Sequence, residues 1–149
     1  MSDELYQKAI TAHAKAAVGA GRLDRADSAA TIDNPLCGDR VTMEVKLDRG
    51  RIAALAHEVR GCVLCRAAAS VIGRHAQGLT RAEAQAIDTA LRGMLGGGDP
   101  PSWPDLAAFR PVARHKSRHE CVMLPFDALV KALEAAGPAA AGAGPAAKR

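Results

Sequence analysis

Apolar residues recur with a period of two in one stretch of the chain and at helical spacing in four others. Val41, Met43, Val45 and Leu47 alternate with Thr42, Glu44, Lys46 and Asp48, as in a half-buried strand. Asp48-Arg49-Gly50 is a tight turn in which Gly50 can take a positive φ, and Ile52 to Val59 returns as the second strand. Ahead of this hairpin, Leu5, Ala9, Ala12 and Ala16 predict a helix over Glu4 to Ala17 that Gly19 and Gly21 end. After it, Leu64, Ala68, Val71 or Ile72 and His75 share one helical face. Thr80 with Glu83 is a capping box, and Ile87, Leu91, Met94 and Leu95 form the stripe of the helix it starts.

Gly96-Gly97-Gly98-Asp99-Pro100-Pro101 stops that helix, and residues 96–110 are expected to form an ordered insertion with a short turn anchored by Trp103 and Phe109. Leu124, Ala128, Leu129, Ala132 and Leu133 mark a last helix, with Pro125 expected in its first turn. The Ala/Gly/Pro-rich residues 137–149 have no apolar period and are expected to be a disordered tail on one domain spanning 1–136. The pattern predicts an α+β fold, a small antiparallel sheet packed on one face by helices.

Composition narrows the chemistry. A chain of 149 residues can bury roughly two-thirds of its unfolded surface without a disulfide. Residues 1–9 are polar and charged rather than a secretory apolar stretch, so the reducing cytoplasm is the expected compartment and metal or catalysis the expected use of four cysteines. No apolar run is long enough to span a bilayer, and 3% aromatic content argues against a stacking platform for nucleic acid. The net charge is +4, and Arg110, Arg114, Lys116 and Arg118 lie in a nine-residue stretch without an acid that could steer an acidic partner.

The cysteines sit in three stretches: Cys37 in Asn34-Pro35-Leu36-Cys37-Gly38-Asp39, Cys62 and Cys65 after Gly61, and Cys121 after Arg118-His119-Glu120. Asn34-Pro35 is a turn signal, so Cys37 and Asp39 belong to a loop before the first strand of the hairpin. Cys62 falls at a helix N-terminus, a place favourable to negative charge. Thiolates suit zinc or iron–sulfur clusters, and a carboxylate can complete a tetrahedral zinc site, so three of the four cysteines together with Asp39 would make a ligand set. Cys62 and Cys65 alone also fit a redox pair, although the surrounding parallel βαβ pattern is missing. Three thiols packed as small hydrophobes, Asp39 bonded only to its own turn, and Cys65 as a core residue are the bland readings of the same pattern.

These motifs together resemble the U-type iron–sulfur cluster assembly family: Cys37-Gly38-Asp39 after Asn34-Pro35, Gly61-Cys62 leading into an Ala/Ser-rich helix, and a late cysteine followed by Met123-Leu124 and an Asp127-Ala128-Leu129 helix. The resemblance covers residues 4–136 and is to the IscU, SufU and NifU N-terminal proteins. It implies a third strand near Asp27 to Ile32. Glu120 stands where IscU has a histidine before the last cysteine, with His119 one place earlier, the Leu-Pro-Pro-Val-Lys motif of IscU is missing, and 58 residues separate Cys62 from Cys121. Those departures resemble SufU. The resemblance then implies zinc held by Cys37, Asp39, Cys62 and Cys121, with Cys37 accepting persulfide sulfur from a SufS-like cysteine desulfurase once a partner side chain relieves it of the metal.

Acceptor SUF assembly proteins are further implied partners. Two alternatives stay open: an IscU-like scaffold that builds and transfers a [2Fe-2S] cluster on the same residues, and a structural zinc module for interactions alone. Cys65, His119 and Glu120 are accessory candidates. His13, His57 and His75 are expected to be surface or half-buried residues without a role, and His115 lies close to the site in sequence.

Overall fold

A computed structural model describes residues 2–35 and 38–137. Leu36, Cys37 and all of the expected tail except Gly137 lie outside the described residues. In chain order the elements are α1 (Ser2–Ala16), β1 (Ser28–Asn34), β2 (Asp39–Asp48), β3 (Arg51–Arg60), α2 (Val63–His75), α3 (Arg81–Leu95), 3-10 segments at Pro104–Arg114 and Lys116–Arg118, and α4 (His119–Ala135). The strands form one antiparallel sheet in the order β1-β2-β3.

The hairpin forms because its turn can. Asp48 pairs with Arg51, leaving Arg49 and Gly50 as a two-residue turn, and both have positive φ, 55° and 78°. Val41, Met43 and Val45 are fully buried toward the helices, with α4 packed on β1 and β2 and α2 on β3. On the other face Glu44 is covered by the loop after α1: it accepts the Leu23 amide at 2.7 Å and the Arg22 guanidinium at 3.0 Å. The strand implied by resemblance is present and runs to Asn34, whose pairing with Asp39 closes the β1–β2 connection.

The helices depart from the sequence pattern in four ways. Among the described side chains of α1 the buried one is Ile10, at 2% exposure, while Ala12 and Ala16 face solvent; the bulkier side chain sets the phase where methyl groups alone define a stripe weakly. Helix α2 is buried on nearly every side from Leu64 to Ile72, being enclosed by α1, α4 and β3. The insertion folds further than expected, as a 3-10 segment that buries Leu106, Phe109 and Val112 completely. Trp103 does anchor it, stacked on His75 at 5.2 Å and tilted against Phe126 at 6.2 Å.

Pro125 provides the fourth departure. Helix α4 starts at His119, so Pro125 lies in its interior rather than its first turn. Lacking an N–H, it cannot donate to the carbonyl four residues back, which belongs to Cys121. One histidine also moves out of its expected setting. His57 is buried at 4% exposure and donates its Nε2–H to the Val18 carbonyl at 2.8 Å, and burial pushes its pKa down. His75 meets Asp105 of the insertion at 2.7 Å, with His13 3.8 Å from the same carboxylate. The hydrogen bond from His75 is the main reason Asp105 titrates below the usual carboxylate range. No helix among the described residues is long and apolar enough to cross a membrane.

Candidate metal centre

Three chain junctions meet at one end of the sheet. Asp39 is the first residue of β2, Cys62 is the N-cap of α2, and Cys121 is in the first turn of α4. One ligand atom from each lies within 4.8 Å of the other two. Asp39 and Cys121 are buried, at 3% and 1% exposure, and Cys62 is half-buried, so the cluster is enclosed but reachable through Cys62.

Each position has a local cause. Gly38 carries a φ of +72°, which turns the chain into β2, and its amide donates to the Asn34 carbonyl at 2.8 Å. Asp39 Oδ1 then accepts the Cys62 amide at 3.2 Å, fixing the carboxylate against the start of α2. Gly61 allows this approach: a Cβ there would lie 2.7 Å from Asp39 Oδ1. The Cys62 sulfur makes no capping bond to its own helix and sits 3.8 Å from Asp39 Oδ2.

The donor set fits a metal ion. A tetrahedral zinc with bonds of about 2.3 Å to sulfur and 2.0 Å to oxygen separates its ligand atoms by about 3.5–3.8 Å, close to the 3.8 Å and within the 4.8 Å found here. Two thiolates and a carboxylate this close would repel one another strongly without a cation between them.

The remaining described candidates lie outside this group of three. Cys37, two positions before Asp39, lies outside the described residues. Cys65, one turn into α2, is buried within the apolar core and is not part of the cluster. His119 directs Nε2 to the Ala113 carbonyl at 3.1 Å, tying α4 to the insertion. Glu120 is exposed and meets Arg92 at 3.3 Å, on the α3 side of α4. Gly61 is the participant that motif reading passed over; its placement directly before the Cys62 helix was its one signal.

Comparison with known proteins agrees with this architecture. The model of the NifU-like N terminal domain family matches residues 5–135. The chain belongs to that family. The solved structure of the N-terminal part of a NifU-like protein from Brucella abortus superposes with a TM-score of 0.84 at 35% identity, covering 89% of this chain and 94% of that one. The iron–sulfur cluster assembly scaffold protein IscU of Streptococcus pyogenes is 28% identical over 135 residues, 89% of this chain and 84% of its own length. The zinc-dependent sulfurtransferase SufU of Bacillus subtilis is 29% identical over 133 residues, 87% and 89% of the two chains.

Proposed function

We propose that this protein serves iron–sulfur cluster assembly as a zinc-binding sulfur acceptor of the SufU kind, taking persulfide sulfur from a cysteine desulfurase. The observation that carries the reading is the convergence of Asp39, Cys62 and Cys121 from three separate junctions. Family membership supports the cluster-assembly setting, and the resemblance of the Cys37-Gly38-Asp39 motif supplies Cys37 as fourth ligand and acceptor. Glu120 favours SufU over IscU, because it pairs with Arg92 outside the cluster.

In this reading Asp39, Cys62, Cys121 and Cys37 hold the zinc, which supplies a positive charge that keeps thiols deprotonated. The Cys62 amide holds the Asp39 carboxylate in place, and the apolar surroundings of Cys121 exclude water. The Cys37 thiolate attacks the outer sulfur of the donor's cysteine persulfide. A sulfur–sulfur bond forms on Cys37 as the donor's breaks, and the donor cysteine leaves as a thiolate. The exchange needs no external oxidant or reductant.

A second reading, a scaffold for a [2Fe-2S] cluster, draws support from the likeness to the Streptococcus pyogenes IscU and from the sulfur-rich donor set. Metal and acid-labile sulfide content after anaerobic purification, with desulfurase turnover measured beside it, separates the two. One zinc, no sulfide and a turnover increase lost in Cys37→Ala supports the sulfur acceptor. Iron and sulfide in equal amounts support the scaffold, and zinc without any effect on turnover leaves a structural zinc module.

A further inference from the structure

A groove of about 310 Å³ lies beside the metal centre, between α1, the start of α2 and the 3-10 turn before α4. Its floor is apolar, made by Ile10, Val63 and Leu64, and its rim carries His115, Ser117 and Arg118. Val63 is 42% exposed, and no other large hydrophobic side chain among the described residues is exposed. A single exposed aliphatic side chain is ordinary by itself; Val63 matters because it lines a groove beside the metal centre.

The rim residue Arg118 ends a stretch of nine residues, 110–118, that carries four cations and no acid. Arg22, Arg40, Arg51, Arg74 and Arg92 each meet a carboxylate within 4.0 Å. Arg110, Arg114, Lys116 and Arg118 enter no ion pair with a described acid and are all exposed. A phosphate backbone would use the cations but leave the apolar floor idle; a protein segment with an apolar side chain among acids uses both.

We infer that this groove docks an acidic segment of the sulfur-donating partner, an apolar side chain seated on Val63 and carboxylates against the 114–118 cations. The inference rests on the proposed sulfur-acceptor function and names the surface that function uses. Val63 is bonded to Cys62 and Arg118 stands three residues before Cys121, so a segment held there arrives at the metal centre. The basic rim speeds encounter, and the apolar floor slows departure.

The test titrates a SufS-type cysteine desulfurase with the full chain, reading affinity by calorimetry and cysteine turnover in parallel. Val63→Ser and the double variant Arg114→Glu/Lys116→Glu are compared with wild type and with Lys46→Glu, a single charge reversal near the far end of β2 from Asp39. The two groove variants are expected to bind at least ten-fold more weakly while keeping wild-type zinc content and the same turnover at saturation. Raising salt should weaken wild type and leave the double variant nearly unchanged. Groove variants that bind like wild type overturn the inference and leave the sulfur-acceptor reading intact. Binding that depends on the groove without any rise in turnover keeps the docking surface and sinks sulfur acceptance. No binding by wild type overturns both, and binding lost equally to a few millimolar inorganic phosphate at constant ionic strength assigns the rim to a phosphate-bearing ligand instead.

Discussion

Two aspartates are buried to nearly the same degree, Asp39 at 3% exposure and Asp88 at 6%, and their surroundings give them opposite uses. Asp39 faces a backbone amide and two thiols gathered from other segments. Asp88 faces Asp127 across the α3–α4 contact, with Glu120 also contributing negative charge, and its Oδ2 has no hydrogen-bond partner. Arg92 binds both oxygens of Asp127, at 3.0 and 2.9 Å, and also meets Glu120, so the one cation is spent on its neighbours. Burial first, and then the hydrogen bond and charge of Asp127, push the Asp88 carboxyl up to about 8. A buried carboxyl group beside soft donors can take a metal ion; one beside another carboxylate keeps a proton.

If that contrast holds, the largest effect belongs to the cluster. Cys62→Ala or Cys121→Ala should lower zinc affinity by 100-fold or more, on the order of 3 kcal/mol, read by competition with a chromophoric chelator; Cys65→Ala should leave the affinity unchanged and cost stability as a core truncation. Gly61→Ala comes next. Its methyl group meets the Asp39 carboxylate, so affinity should fall about ten-fold, the lower end of what misplacing a metal site's support costs, while Asp39→Ala should remove that sensitivity to the methyl.

Asp88 offers the pH test. Its folded pKa lies above the ordinary value of 3.8, so the native state holds a proton that the unfolded state has lost between those limits. Stability is therefore fully present below about pH 4 and is lost as pH rises through about 8, with on the order of 1 kcal/mol going between about pH 7 and pH 9. Chemical denaturation of Asp88→Asn should show this slope abolished. A wild-type protein with no such slope would mean that Asp88 ionises freely and that the two aspartates are alike. The smallest effect is expected of Glu120→Ala, whose exposed pair with Arg92 is worth less than about 1 kcal/mol and whose loss should leave zinc affinity where it was.

Much of this was legible in the chain. The hairpin could be read because Val41 to Leu47 alternate and Arg49-Gly50 can turn, and the capping box at Thr80 and Glu83 is present as expected. Cys62 at the start of α2 followed from Gly61 and the change to helical spacing. What could not be read depends on distance across the fold. Nothing local says that Gly61 must clear Asp39, since that contact spans 22 positions. The α4 boundary was misplaced because Pro125 suggests a first turn unless the tertiary packing of Cys121 to Met123 extends the helix ahead of it. Asp88 did leave a trace, an acid between Ala84 and Leu91 on the buried stripe of α3, but its consequence needed Asp127 from another helix.

The most direct test is zinc-edge X-ray absorption on the metal-loaded protein, with Asp39→Ala and Cys65→Ala alongside. Three sulfur neighbours at about 2.3 Å and one oxygen at about 2.0 Å, with the oxygen signal altered only in Asp39→Ala and nothing altered in Cys65→Ala, is the predicted result. Four sulfur neighbours that fall to three in Cys65→Ala would contradict the assignment of the site.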